Sequence, residues 1–373
     1  NGLILDKRLL RNLDFVLITA VLVMCGIGLV FVYSATHTGI GHGPPADPFA
    51  FVKRQLQAFA AGIVCIIIIL TIDYNLVRRV HSVIYWGNIA ILVLVLLFGR
   101  RVSGAERWLK IGPVVLQPSE LAKIAVILTL SNYLADADMN SMRDLLIAFF
   151  HVGLTTGLVL LQNDLGTAIV FVGITMAMLF VAGMRLRDLM SIVAIGALAS
   201  PIVYFFGLKD YQRARILTFL NPYADPTGKG YNVIQSTIAI GSGGFFGKGL
   251  FKSTQVRLNF LPAHHTDFIF SVIGEELGFL GCVVVLALYA IILWRCFLAA
   301  FSAKDTFGQL VAAGIGSMLL LHVLINIGMT MSLMPVTGIP LPFLSYGGSS
   351  LMANLIAIGF VLNVNMRRQK ILF

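Results

Sequence analysis

Apolar runs of helical length recur ten times along the chain, at about 14–34, 55–72, 81–98, 119–134, 145–161, 166–183, 188–206, 266–294, 308–331 and 349–366. Most approach the ~20 residues that a helix needs to cross the ~30 Å hydrocarbon core of a bilayer. The pattern predicts an all-α integral membrane protein with ten transmembrane helices, forming one polytopic domain over 1–373. The longest polar interruption, 207–262, predicts a large, partly helical extracytoplasmic loop between spans 7 and 8. Within it, YNVIQSTIAIGSGGFFGKGL (231–250) begins as a helix and ends in a glycine-rich turn, as a re-entrant or interfacial segment would.

Composition sharpens this class. The chain is 58% hydrophobic and 12% charged, with a mean hydropathy of +0.90, whereas soluble domains carry about 25% charged residues. Cys25, Cys65, Cys282 and Cys296 all fall in apolar runs without metal-ligand spacing, so they read as buried thiols. The first span follows Lys7, Arg8 and Arg11 and lacks a small-residue cleavage site, so a retained anchor is expected.

The basic residues orient the spans. With the N-terminus in the cytoplasm, the inner segments collect Lys7, Arg8, Arg11, Arg78, Arg79, Arg143, Arg185, Arg187, Arg295, Lys304, Arg367, Arg368 and Lys370. Three outer connections contain only Lys53 and Arg54, as the positive-inside rule requires. Both termini are therefore expected in the cytoplasm. Two outer segments depart from the rule. Residues 99–118 hold Arg100, Arg101, Arg107 and Lys110, and 207–262 holds Lys209, Arg213, Arg215, Lys229, Lys248, Lys252 and Arg257. Either long loops translocate regardless of charge, or an outer anion site exists, since Arg forks and Lys charges suit phosphate oxygens. The glycine-rich GSGGFFGKG lacks P-loop spacing, yet its amides offer a possible anion nest.

Carboxylates inside apolar runs are the remaining anomaly. Asp267 opens the eighth span, with Glu275 and Glu276 two turns further in, and such groups usually serve a site because their insertion costs roughly 2.5–3.5 kcal/mol each. Glu120 and Lys123 share one face of the fourth span, either as a structural pair or as chemistry. Asp164 starts the sixth span, where it either caps the helix or faces a site. Asp267 has the same two readings, but Thr266 beside it already offers a cap. Gln117 or Ser119 can satisfy amides at the start of the fourth span. Four sites, Arg107 with Lys110, Glu120 with Lys123, Asp164 and Asp267, fall at outer helix ends, which predicts a polar cavity open to the outer leaflet. His264 and His265 are expected to line it, and TGIPLPFLSYGGSSL (337–351) to form its rigid rim.

Five separated motifs carry a resemblance: RWLKIGPVVLQPSELAK, QNDLGTA, GYNVIQSTIAIGSGGFFGKG, LPAHHTDFIFSVIGEELGFLG and NIGMTMSLMPVTGIPLPFLSYGGSS. Together they resemble the SEDS family of shape, elongation, division and sporulation proteins, from the first span to the last. NFLPAHHTDF and MPVTGIPLPF are more similar to its RodA branch than to its FtsW branch. Asn163 stands where the family pattern commonly has Pro, and Ala263 where it has Glu.

The resemblance implies a peptidoglycan glycosyltransferase that polymerises lipid II at the outer face of a bacterial cytoplasmic (inner) membrane during elongation, releasing undecaprenyl pyrophosphate. A lipid II flippase is the alternative. The implied partners are lipid II and lipid-linked glycan, a class B penicillin-binding transpeptidase, the elongation machinery and membrane lipid, with no nucleic acid. Asp267, Glu120 and Lys123 are the expected catalytic residues. Arg107, Trp108, Lys110, Gln117, Asp164, Arg213, Arg215, Lys248, Thr266 and Ser345 are the expected substrate-binding residues. No cofactor is required by the sequence and no metal ligands are assigned, although the carboxylates allow a divalent cation.

Overall fold

The computed structural model describes residues 11–37, 47, 49–102, 105–111, 114–228 and 230–368, excepting the side chains of 100–107, 110, 111, 114 and 115. The chain runs through α1 (Phe15–Thr36), α2 (Ala50–Thr71), the short α3 (Tyr74–Arg79) and α4 (His81–Phe98). Three strands follow, β1 (Arg100–Val102), β2 (Ala105–Ile111) and β3 (Val114–Leu116). Then come α5 (Pro118–Leu134), α6 (Met142–Leu161), α7 (Leu165–Val181) and α8 (Leu186–Ile202). The 207–262 segment contains α9 (Asp210–Leu220), α10 (Tyr231–Ser242) and α11 (Thr254–Arg257). The chain closes with α12 (Ile269–Phe301), α13 (Thr306–Thr330) and α14 (Gly348–Met366).

Each of the ten apolar runs lies within or largely within a helix. Eight are long and apolar enough to cross a membrane: α1, α2, α4, α6, α8 with its extension to Gly207, α12, α13 and α14. The apolar α7 is shorter, at 17 residues. The 17-residue α5 carries Glu120 and Lys123 among its buried residues. In α8, Pro201 removes a backbone donor, and the helix relaxes into a π turn over Val203–Gly207.

The interior is built from α13, α14 and α5. Buried residues make up 83% of the most apolar window of α13 and 89% of that of α14, whereas α8 buries none, so α8 sits at the periphery. Arg295 of α12 is tied by Nε to Oδ2 of Asp14 (2.7 Å), the N-cap of α1. One feature lies outside the helical expectation. β1, β2 and β3 form a three-stranded antiparallel sheet in that order, with Leu109 opposite Leu116 and Lys110 opposite Val115.

The glycine-rich turn does not form an anion nest. It docks into a break in α12, where Gly278 takes φ 66° and ψ −159°. The amides of Lys248 and Gly249 donate to the carbonyls of Glu275 (3.0 Å) and Glu276 (2.9 Å). In return, Phe279 and Leu280 N–H donate to the carbonyls of Gly244 (2.9 Å) and Phe245 (3.2 Å). A broken helix frees backbone groups that a low-dielectric interior must satisfy, and the turn supplies their partners. Gly247, at φ 79°, permits the approach, because a Cβ there would overlap the Glu276 carbonyl. Ahead of the turn, Ser236 and Ala239 of α10 pack closely on α12, and the Ser236 and Ser271 hydroxyls lie 2.7 Å apart.

Candidate active site

Asp267 does not cap α12. The N-cap is Phe268, without a side-chain hydrogen bond, and the Thr266 hydroxyl turns back to the Ala263 carbonyl (3.2 Å). Ala263 sits at φ 52°, and its carbonyl accepts from the amides of Thr266 and Asp267, both at 3.1 Å. This tight turn leaves the Asp267 side chain half-buried, facing a cavity of about 400 Å³.

The 332–347 segment holds the turn in place. Asn326 of α13 donates to the carbonyls of Asp267 (3.0 Å) and Ile339 (2.7 Å). The Ser345 hydroxyl donates to the Thr266 carbonyl (2.6 Å), and the Tyr346 amide to that of His265 (2.9 Å). Gln55 of α2 clamps the far side, donating to Ser345 O (3.1 Å) and accepting from Gly347 N (3.2 Å). Gly338, at φ 75°, borders Asp267, and a Cβ there would stand 3.5 Å from its Oδ2. The rim expected over 337–351 is therefore a built structure. Ser345 acts in it by fixing Thr266 rather than by lining the cavity.

Opposite the turn, the starts of α5 and α7 supply the other wall. Asp164 does cap α7, accepting from the Thr167 amide (3.2 Å) and hydroxyl (3.0 Å), and it also lines the cavity. The two readings of Asp164 are thus compatible. Gln117 provides no side-chain cap for α5; its amide group reaches Ser119 Oγ (3.1 Å) and Asp164 Oδ2 (3.4 Å). Glu120 lines the cavity floor, 3% exposed, with Oε1 bound by Lys123 Nζ (2.8 Å). Arg215 arrives from α9, donating to the Thr337 carbonyl (3.3 Å), and Trp108 arrives from β2.

Of the expected residues, the cavity brings together Asp267, Glu120, Asp164, Arg215, Trp108, Gln117 and Thr266. Lys123 lies behind Glu120, 2% exposed, so it is not a surface for phosphate. Lys248 is displaced from its expected place. It pairs with Glu275 (2.7 Å), which also accepts from the Thr254 amide (2.9 Å) and hydroxyl (2.7 Å) and from Ser253. Arg213 turns away as well, donating to the Phe205 carbonyl (2.7 Å). Glu276 takes the Ser34 hydroxyl (2.5 Å), so neither inner glutamate joins Asp267 at the cavity wall. The side chains of Arg107 and Lys110 lie outside the described residues. His264 and His265 sit on the turn rather than on the wall. His264 Nε2 is 2.7 Å from the Ala35 carbonyl, and burial beside His264 lowers the pKa of His265 to about 4.

Sequence reading missed His322, Asn326 and Tyr346. His322 and Asn326 lie four apart in the apolar α13, one turn of a helix, and that spacing was the available signal. Among the described residues, no group of three or more His, Cys, Asp or Glu is arranged to hold a metal ion.

The cell cycle protein family of FtsW, RodA and SpoVE matches residues 15–370. The chain belongs to this family. It is 40% identical to FtsW of Trichlorobacter lovleyi, over 95% of this chain and 94% of that one. It is 38% identical to the peptidoglycan glycosyltransferase MrdB of Escherichia coli, over 96% and 95%. Among solved structures it is similar to a chain of a peptidoglycan synthase complex that coordinates polymerization and crosslinking, with a TM-score of 0.81, 34% identity, and coverage of 95% and 97%. Asn163 takes φ 61°, which asparagine tolerates and proline, whose ring fixes φ near −65°, does not.

Proposed function

We propose that the protein is a peptidoglycan glycosyltransferase that polymerises lipid II, releasing undecaprenyl pyrophosphate. The observation that carries this is one cavity that half-buried Asp267 lines together with Arg215, Glu120 and Asp164, within a chain of this family. The acceptor's 4-hydroxyl attacks the donor's anomeric carbon, forming the glycosidic bond. Asp267 takes the hydroxyl proton, a role worth about 10²–10⁴ in rate. The C1–O bond to the pyrophosphate breaks and its electron pair leaves on the phosphate oxygen, where a fixed cation stabilises the growing charge. Arg215 is the cavity's own candidate for that cation, with Arg107 and Lys110 from 99–118 as further ones. Trp108 and Tyr346 supply aromatic faces for sugar rings. No cofactor enters this scheme.

The ten apolar runs support ten helix crossings, the distribution of Lys and Arg supports cytoplasmic termini with an outward-facing cavity, and the family supports a bacterial inner membrane. Elongation as the physiological setting rests on the RodA-like motifs. A class B penicillin-binding transpeptidase is the proposed partner, supported by similarity to a subunit of a complex that both polymerises and crosslinks. Detergent-solubilised protein given labelled lipid II tests the reading. Polymer formed without vesicles supports the enzyme; lipid II translocation in vesicles without polymer supports a flippase.

A further inference from the structure

A second cavity, of about 340 Å³, adjoins the one that Asp267 lines, and Arg215 lines both. Tyr211, Arg215, Thr218 and Phe219 present one face of α9 to it. Met334, Pro335 and Val336 line this second cavity, whereas Thr337 to Pro340 line the first. The chain therefore passes from one cavity to the other where Arg215 donates to the Thr337 carbonyl (3.3 Å). The Arg215 guanidinium also lies 5.9 Å from the centre of the Tyr211 ring, so two contacts hold the cation at the border. The linings differ in character. Asp267, Asp164 and Glu120 line the first cavity, but none of the second's described lining residues is acidic. Its surface is mainly apolar, with Phe219, Val233 and Val336, and Tyr211, Thr218 and Asn232 are its uncharged polar members. Lipid is close by. Helix α9 follows directly on the apolar span that ends at Gly207, and Leu217 and Leu220 of α9 and Leu333 are exposed.

We propose that this second cavity binds the first isoprene units of the prenyl chain, on the donor and on the prenyl pyrophosphate it releases. This rests on the glycosyltransferase reading above, with Arg215 as the pyrophosphate cation. In the donor the pyrophosphate carries the sugar at one end and the prenyl chain at the other. With the charge on Arg215 and the sugar in the carboxylate-lined cavity, the prenyl end leaves Arg215 on the apolar side. There the hydrocarbon gains by exchanging water for Phe219, Val233 and Val336. The exposed leucines offer the rest of the chain an apolar route back to lipid.

The experiment measures binding of radiolabelled farnesyl pyrophosphate and of radiolabelled inorganic pyrophosphate to purified full chains. One detergent is used throughout, so that partition into micelles cancels between variants, and thermal midpoints report folding. Phe219→Ser removes apolar surface from the cavity and Thr218→Trp fills it. Each is expected to weaken farnesyl pyrophosphate about tenfold, in line with the loss of one buried apolar contact, and to leave inorganic pyrophosphate within about twofold. Arg215→Lys should weaken both probes. In the parent, a benzophenone-tagged farnesyl pyrophosphate should form its adduct at Met334 on illumination, and undecaprenyl pyrophosphate should suppress it. That readout decides the matter alone where neither cavity variant folds. Unchanged farnesyl pyrophosphate binding in both variants, equal weakening of the two probes in them, or an adduct confined to other parts of the chain would each overturn the prenyl site. A parent that forms no polymer from labelled lipid II overturns the glycosyltransferase reading, while a suppressible adduct at Met334 would still support a prenyl pyrophosphate site. Polymer formation with the adduct elsewhere overturns the prenyl site alone.

Discussion

Asn326 holds the backbone of Asp267, donating to its carbonyl at 3.0 Å while binding the Ile339 carbonyl at 2.7 Å. One amide thus joins the acid-bearing turn to the adjoining rim. Asp267→Asn keeps the side-chain size and loses the basic oxygen, so polymerisation should fall by about 10²–10⁴ with the fold intact. Asn326→Leu should reduce kcat by a smaller factor and lower the thermal midpoint, because it leaves two buried carbonyls short of a donor. Near-parental polymer from a folded Asp267→Asn protein would remove the general-base assignment.

Lys248 should behave as a structural residue. Its partner Glu275 is fully buried and also holds the 253–254 segment, so Lys248→Met leaves that carboxylate with neutral partners only. A loss on the order of 2 kcal/mol in stability is expected, in line with removing one side of a mostly buried pair. Unfolding measurements should show it, while KM for lipid II in the surviving enzyme stays within about twofold of the parent. A large KM increase without loss of stability would return Lys248 to the substrate site.

The architecture was legible because bilayer thickness imposes its period on the chain, and all ten apolar runs met a helix. The cavity's main residues were legible for a related reason: Asp164, Glu120 and Asp267 are costly in apolar surroundings, so their presence called for a site. Direction was harder to read. Lys248 and Arg213 belong to the same basic segment as Arg215, yet only Arg215 reaches the cavity, and composition cannot distinguish three cations on one loop. The glycine-rich turn misled for another reason. Free amides that suit an anion also suit the carbonyls of a broken helix, and the break at Gly278 has no signature beyond one more glycine among 36.

Gly278→Ala should therefore destabilise the protein well beyond an ordinary helical substitution. The residue adopts φ 66°, and a Cβ would overlap backbone atoms of Phe245 and Gly247 in the docked turn. Strain at such a position costs of order 1–3 kcal/mol before any displacement of the turn is counted. Limited proteolysis between 241 and 249 should accelerate in the variant. An unchanged cleavage rate would mean that the turn does not depend on the break.

Acidification should weaken the fold through His265. Its pKa lies at about 4 in the fold against an ordinary 6.5, chiefly because burial disfavours the charged ring and secondarily because His264 is adjacent. Between these values the unfolded chain binds a proton that the folded chain does not. The contribution is therefore complete above about 6.5 and is lost progressively as pH falls towards about 4. His265→Phe preserves an aromatic ring beside Phe51 and Tyr346 and should flatten the fall in thermal midpoint across this window. A parent and variant with parallel pH profiles would assign the acid sensitivity elsewhere.

Arg215 offers the most direct test of the anion site. Among the described residues it is the cation of the 207–262 segment that reaches the cavity, and its guanidinium is oriented by the Thr337 carbonyl at 3.3 Å, on the same rim that positions Asp267. Lysine preserves the charge but not the planar fork, so Arg215→Lys is not conservative if two phosphate oxygens are bound together. Undecaprenyl pyrophosphate should compete with the donor in the parent and bind about tenfold more weakly in Arg215→Lys, the equivalent of about 1.4 kcal/mol. Lys248→Met, whose charge is engaged by Glu275, should leave that inhibition constant unchanged. Equal inhibition of parent and Arg215→Lys would move the pyrophosphate to the 99–118 segment, where Arg107 and Lys110 are the expected binding residues.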